Sequence, residues 1–136
     1  MIYTCTITPS IDYTVYLAAF EIGKLNRSEE VYYYPGGKGI NVSRVLNRLG
    51  VKSKALGFTG GFTGSYIEEF LQKEGVDTDF IETSEITRIN IKIKADKETE
   101  LSGPGPKLTE QQLLVLTNKV KGMKTGDWFI LAGSLP

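Results

Sequence analysis

The chain has 136 residues, 40% of them hydrophobic, with sixteen basic and sixteen acidic side chains. That is the size of one domain with a real core, and the zero net charge argues against nucleic acid or a membrane surface as partner, since both call for a basic excess. There is no histidine and a single cysteine, Cys5, which excludes Ser-His-Asp and Cys-His machinery, histidine-ligated metal and an internal disulfide, and suits a reducing, cytoplasmic setting.

In chain order, Ile2 to Thr8 is rich in β-branched residues and closes on Pro9-Ser10, so it is predicted as a strand. The start carries no basic n-region, and Pro9 and Asp12 interrupt the first apolar stretch, so no signal peptide is expected; no apolar run approaches a membrane span. Tyr13 to Leu17 and Glu29 to Tyr34 are further short strands. Pro35-Gly36-Gly37-Lys38-Gly39 is a loop leading into a helix whose apolar residues Val42, Val45, Leu46 and Leu49 recur at helical spacing, with Gly50 as its stop. Lys54 to Phe58 is a strand, and Gly60-Gly61-Phe62-Thr63-Gly64 is read as a glycine-rich turn before a helix from Ser65 to Glu74, stopped by Gly75.

Asp79 to Glu82 is a short strand. Ile89, Ile91 and Ile93 alternate with Asn90, Lys92 and Lys94, the pattern of a half-buried strand with one wet face. Asp96-Lys97-Glu98 makes a hairpin turn and Gly103-Pro104-Gly105-Pro106 a rigid loop. Thr109-Glu110-Gln111-Gln112 fits a capping box for a helix to Lys121. Trp128 to Ala132 is an uninterrupted apolar strand of the kind found inside a parallel sheet. Alternation of strands and helices predicts a doubly wound α/β core, and the two-faced strands predict a small separate sheet. The chain ends on Gly133-Ser134-Leu135-Pro136 with no covering helix after the last strand, which predicts that the domain continues beyond Pro136.

The sharpest chemical feature is Gly36-Gly37-Lys38-Gly39-Ile40-Asn41-Val42-Ser43. Glycines at a strand-to-helix junction let backbone N–H groups approach a ligand, the helix N-terminus favours anions, Lys38 adds a cation, and Asn41 can donate and accept to a sugar hydroxyl. It is not a P-loop, because Gly39 follows the lysine where serine or threonine would hold magnesium, and the dinucleotide fingerprint lacks its third glycine. On motif grammar alone, a flexible turn and an anion cradle are evenly matched. Asp12, just past the first strand, reads either as a turn former or as a grip on vicinal hydroxyls. Arg88, Lys24 and Arg27 by spacing alone are solvated charges. The tyrosine run at 32–34 suggests packing, Cys5 a small core residue and Asp127 a turn.

Taken together, the glycine-lysine run with Gly50 and Gly60 downstream, the opening Thr8-Pro9-Ser10-Ile11-Asp12, and the landmarks Thr87-Arg88-Ile89-Asn90, Glu100-Leu101-Ser102-Gly103-Pro104-Gly105-Pro106 and Leu131-Ala132-Gly133-Ser134-Leu135-Pro136 resemble, in order, the amino-terminal part of the phosphofructokinase B branch of the ribokinase superfamily. The resemblance spans the whole chain. It implies a ribokinase-like, mostly parallel core with a small β-sheet lid (strands about 11–17, 29–34 and 88–101), cut after the strand ending near Ala132. It also implies a sugar-phosphate kinase using ATP and Mg2+, with fructose 1-phosphate as the expected acceptor, tagatose 6-phosphate as the alternative, and a non-catalytic sugar-phosphate sensor as a reading of another class. In such a kinase Asp12, the Gly37 backbone and Asn41 would hold the sugar, Lys38, Arg88 and one of Lys24 or Arg27 its phosphate, and Ser134 would line the same cleft. The lid would also be the interface of a homodimer. The family's catalytic aspartate lies in a Gly-Ala-Gly-Asp run that this sequence does not contain, and ATP and Mg2+ are expected to need residues beyond Pro136.

Overall fold

The structure is a computed structural model and describes residues 1–135. Its elements run β1 (Ile2–Thr6), β2 (Ser10–Tyr16), β3 (Glu30–Gly36), α1 (Lys38–Arg48), β4 (Ser53–Thr59), α2 (Gly61–Glu74), β5 (Asp77–Glu82), β6 (Arg88–Lys94), β7 (Glu98–Leu101), α3 (Glu110–Lys121) and β8 (Trp128–Leu131). They form two sheets. One is wholly parallel, ordered β5-β4-β1-β8; the other, ordered β3-β2-β6-β7, is mixed, with β2 parallel to β6 and the outer pairs antiparallel.

The parallel sheet is covered on both faces, and the period of two along its strands decides what each face sees. Cys5 and Ile7 from β1 and the chain beyond it, Leu56 and Phe58 from β4 and Ile81 from β5 pack with Leu116 of α3. Ala55 faces the other way, into a cluster with Ile40 of α1, Ile67 and Leu71 of α2, and Val76. This is the three-layer, doubly wound α/β core. Burial pushes the Cys5 thiol up to about 11, so Cys5 is a small neutral core residue rather than a nucleophile.

The structure corrects one local expectation, the glycine-rich turn, and adds two features that local spacing does not show. The apolar stripe of α1 is not its buried face: Val45 and Leu49 are 51% and 72% exposed, whereas Gly39, Ile40 and Ser43 are buried. The helix seats on the sheet through Ile40 and through the small residues Gly39 and Ser43. Ser43 Oγ lies 2.7 Å from Thr4 Oγ1 and accepts from Ser53 Oγ at 2.8 Å, and this buried relay ties β1, α1 and β4 at a distance that bulky side chains would not allow. The glycines at 60–64 are not a separate turn but the cap and first turn of α2. Their lack of side chains lets that turn abut the segment before β6, where Gly60 N–H donates to Thr87 Oγ1 (3.0 Å) and Thr63 Oγ1 to the Thr87 carbonyl (2.7 Å). Finally, β8 pairs only with β1 and forms the sheet edge among the described residues, with Trp128 70% exposed.

The α3 start is as its sequence indicates. Thr109 Oγ1 accepts from Gln112 N–H (3.2 Å) and Gln112 Oε1 from Thr109 N–H (2.8 Å), a reciprocal box that satisfies two otherwise orphaned donors. Thr109→Ala is expected to lower stability by about 1 kcal/mol. Urea unfolding followed by helical circular dichroism checks this, and an unshifted midpoint would show that the box holds nothing. No described helix is long and apolar enough to cross a membrane.

Candidate functional site

A cleft of ≈ 520 Å³ lies between the two sheets. Its floor is the carboxyl end of β1 with Thr6 and Thr8, the Gly133-Ser134 turn after β8, and the N-terminus of α1 with Gly37, Lys38 and Asn41. Its wall is one face of the mixed sheet: Ser10 and Asp12 on β2, Arg88, Asn90 and Lys92 on β6, and Glu100 on β7. Crevices beyond the carboxyl ends of parallel strands are where open α/β sheets bind ligands.

The floor depends on missing side chains. Gly37 has φ +131, and a Cβ there would lie 2.6 Å from Thr6 Cγ2; one on Gly39 would lie 2.7 Å from both the Cys5 carbonyl oxygen and Thr6 Oγ1. That contact lets Thr6 Oγ1 accept the Ile40 N–H (3.0 Å) and hold the first turn of α1 against β1. The first helical N–H groups have no partner within the helix, so this end of α1 carries partial positive charge into the cleft next to Lys38.

On the wall, Asp12 is the organising anion. Ser10 Oγ donates to its Oδ1 at 2.8 Å, Asn90 Nδ2 reaches the same oxygen at 3.4 Å, and Lys92 Nζ stands 3.7 Å from Oδ2. Asn90 is itself oriented, because its Oδ1 accepts the Gly103 N–H at 3.1 Å. Gly36 makes room for this carboxylate: a Cβ there would sit 2.5 Å from Asp12 Oδ2. Arg88 lies opposite Ser10 in the β2–β6 register, and its Nε is buried with no protein partner. A buried orphan donor is costly unless a ligand or water completes it.

Six of the residues singled out in the sequence (Asp12, Gly37, Lys38, Asn41, Arg88 and Ser134) line this one cleft. Lys24 and Arg27 do not. They are exposed in the connection between β2 and β3, and Lys24 Nζ pairs with Glu21 Oε2 at 3.4 Å. The residues that sequence reasoning passed over are Thr6, Thr8, Ser10, Asn90, Lys92, Glu100 and Gly133. A signal for two of them was present: strand alternation puts Asn90 and Lys92 on the face of Arg88, so the supposed wet face of β6 is the cleft wall.

The arrangement fits an anionic polyol. A bracketed carboxylate and amides grip hydroxyls, while cations and a helix N-terminus attract a phosphate. Among the described residues no group of three or more carboxylate, imidazole or thiol side chains is placed to hold a metal ion.

The chain is similar to known proteins over its whole length. The chain is 50% identical over its whole length to the 1-phosphofructokinase of Bacillus subtilis and 42% identical to the D-tagatose-1-phosphate kinase of Bacillus licheniformis, covering 45% of each. Its structure matches phosphofructokinase-2 from Escherichia coli in complex with fructose-6-phosphate with a TM-score of 0.91 at 30% identity, over 99% of this chain and 46% of that one. The chain thus spans a little under half the length of these relatives. The model of the pfkB family carbohydrate kinases matches residues 7–136, and the chain belongs to that family.

Proposed function

We propose that this chain is the sugar-phosphate-binding part of a 1-phosphofructokinase, which converts fructose 1-phosphate and ATP to fructose 1,6-bisphosphate and ADP. The observation that carries the reading is the cleft wall: one carboxylate, Asp12, held by Ser10 and Asn90 and flanked by cations at the N-terminus of a helix. In this reading Asp12 and Asn41, with the Gly37 backbone, take the sugar hydroxyls. Lys38 and Arg88 take the existing phosphate, whose oxygens complete the buried Arg88 Nε–H. Ser134 closes the floor.

In the reaction the C6 hydroxyl oxygen attacks the γ-phosphorus, the bond from that phosphorus to the ADP oxygen breaks, and the hydroxyl proton passes to a base outside the described residues. Bound Mg2+ would supply charge stabilisation to the phosphates; with no metal cluster among the described residues, no step is assigned to it. The mixed sheet would close over the substrate as a lid and exclude water. Exposed Tyr32, Tyr33 and Tyr34 on that sheet, with Ile22 and Leu25 beside Lys24 and Arg27, support a homodimer through the lid, since aromatic residues are enriched at interfaces. Either of Lys24 and Arg27 would then need the loop to move, or a second copy's cleft, to meet a phosphate. The lone buried thiol agrees with a cytoplasmic setting.

The 42% identity to a D-tagatose-1-phosphate kinase favours tagatose phosphates as the second reading. Steady-state kinetics of the full-length protein carrying this chain, with fructose 1-phosphate, fructose 6-phosphate, tagatose 1-phosphate and tagatose 6-phosphate, decide between them. The expected order has the highest kcat/KM for fructose 1-phosphate; a higher value for either tagatose phosphate would overturn the assignment.

A further inference from the structure

Of the cations that line the cleft, Lys92 is the one that stands beside Asp12. It lies on β6 directly opposite Glu100 of β7, yet its ammonium does not pair there. The neighbouring Lys94 does take a carboxylate of β7, Glu98, at 3.4 Å. Lys92 leans the other way, toward β2, and stops 3.7 Å from Asp12 Oδ2, beyond ordinary hydrogen-bond length. Its side chain keeps 34% exposure, where an ion pair by itself contributes little to stability. An ammonium has three donors, and a pairing this long leaves them free for a ligand in the cleft.

Charge decides what that ligand is. Lys38, Arg88 and Lys92 line the cleft together with Asp12 and Glu100, so the lining holds one positive charge in excess. Without Lys92 the side chains balance to zero, leaving only the partial charge of the α1 N-terminus, roughly half an elementary charge. A phosphate monoester carries about −1.5 to −2 at neutral pH. We propose that Lys92 is a substrate-binding residue of this cleft, the cation that makes it select a phosphorylated sugar over the same sugar without its phosphate. Its charge steadies the Asp12 carboxylate for the hydroxyls, and its free N–H groups reach the anion. The inference rests on the sugar-phosphate reading above and names the residue that enforces it.

The test is isothermal titration of the full-length protein carrying this chain and of its K92Q and K92R variants with fructose 1-phosphate, fructose 6-phosphate and unphosphorylated fructose, with melting temperatures recorded alongside. K92Q is expected to bind the sugar phosphate about tenfold or more weakly, the size of a lost charged hydrogen bond. Its affinity for unphosphorylated fructose should stay within about twofold and its melting temperature close to that of the parent, and K92R should regain most of the loss. Adding salt should weaken the parent more steeply than K92Q. Equal affinity of K92Q and parent for the phosphate ester overturns the proposal, and so does an equal loss for both sugars, which would make Lys92 a prop for Asp12 alone. If fructose 6-phosphate binds and fructose 1-phosphate does not, the 1-phosphofructokinase reading fails while Lys92 is judged on the sugar that binds. If neither ester binds the parent, both fall.

Discussion

Gly39→Ala is expected to cost roughly 2–6 kcal/mol of stability and to abolish tight sugar-phosphate binding together. The methyl group would stand 2.7 Å from the Cys5 carbonyl oxygen and from Thr6 Oγ1. Neither can yield cheaply, because Cys5 is paired on both sides, to Leu56 of β4 and Leu131 of β8, and Thr6 is paired to Gly57 of β4. The helix must therefore lift, and overpacking of this kind costs about 1–3 kcal/mol. Lifting also breaks the buried bond from Ile40 N–H to Thr6 Oγ1, and an unsatisfied buried group adds about 1–3 kcal/mol. The same movement withdraws Lys38 and the free N–H groups from the cleft. Denaturant midpoints and titration with fructose 1-phosphate measure the two effects. A Gly39→Ala protein with unchanged midpoint and affinity would mean that α1 is not seated as described.

The second expected result is complete loss rather than weakening: the 136-residue chain given Mg-ATP and fructose 1-phosphate forms no fructose 1,6-bisphosphate. Phosphoryl transfer depends on holding nucleotide, metal and acceptor hydroxyl in line, with charge stabilised throughout. The described residues line the cleft proposed above for the acceptor, and among them no group of three or more carboxylate, imidazole or thiol side chains is placed to hold a metal ion. The one organised carboxylate in the cleft, Asp12, already accepts from Ser10 and Asn90 and faces Lys92, which suits a hydroxyl grip rather than a free base. The apolar edge strand β8, with Trp128 and Leu131 exposed, also predicts self-association of the chain by itself. Chromatographic detection of the bisphosphate, with a control preparation to exclude contaminating kinase, is the measurement. Turnover at an enzyme-like rate would place the missing machinery within these residues.

Several elements could be located from local pattern because their causes are local. A β-branched run makes β1, a threonine with glutamine three residues on makes the cap of α3, and Gly75 ends α2 in the left-handed conformation at φ +86. The cleft was legible where a residue type was unusual for its position, as with the glycine-lysine run and Asp12. It was illegible where the residue looked ordinary. Lys92 reads as a solvated strand lysine and Ser10 as a turn residue, and the helical spacing of Val42, Val45, Leu46 and Leu49 does not show which face of α1 is buried.

The sequence by itself determined the element types, the α/β class, the glycine-rich start of α1 and the family resemblance that runs through the whole chain. These follow from residue spacing and backbone preference over a few positions. Only the tertiary structure decided which faces meet. Parallel pairing of β2 with β6 joins Asp12 to Asn90 across 78 residues, Ile40 and the small residues Gly39 and Ser43 rather than the apolar stripe seat α1 on the sheet, and Lys24 and Arg27 stay outside the cleft that gathers Lys38, Arg88 and Lys92. Alternation along a strand fixes which side chains share a face, but whether that face looks at water or at a cleft depends on packing between segments far apart in the chain, and no local spacing encodes it.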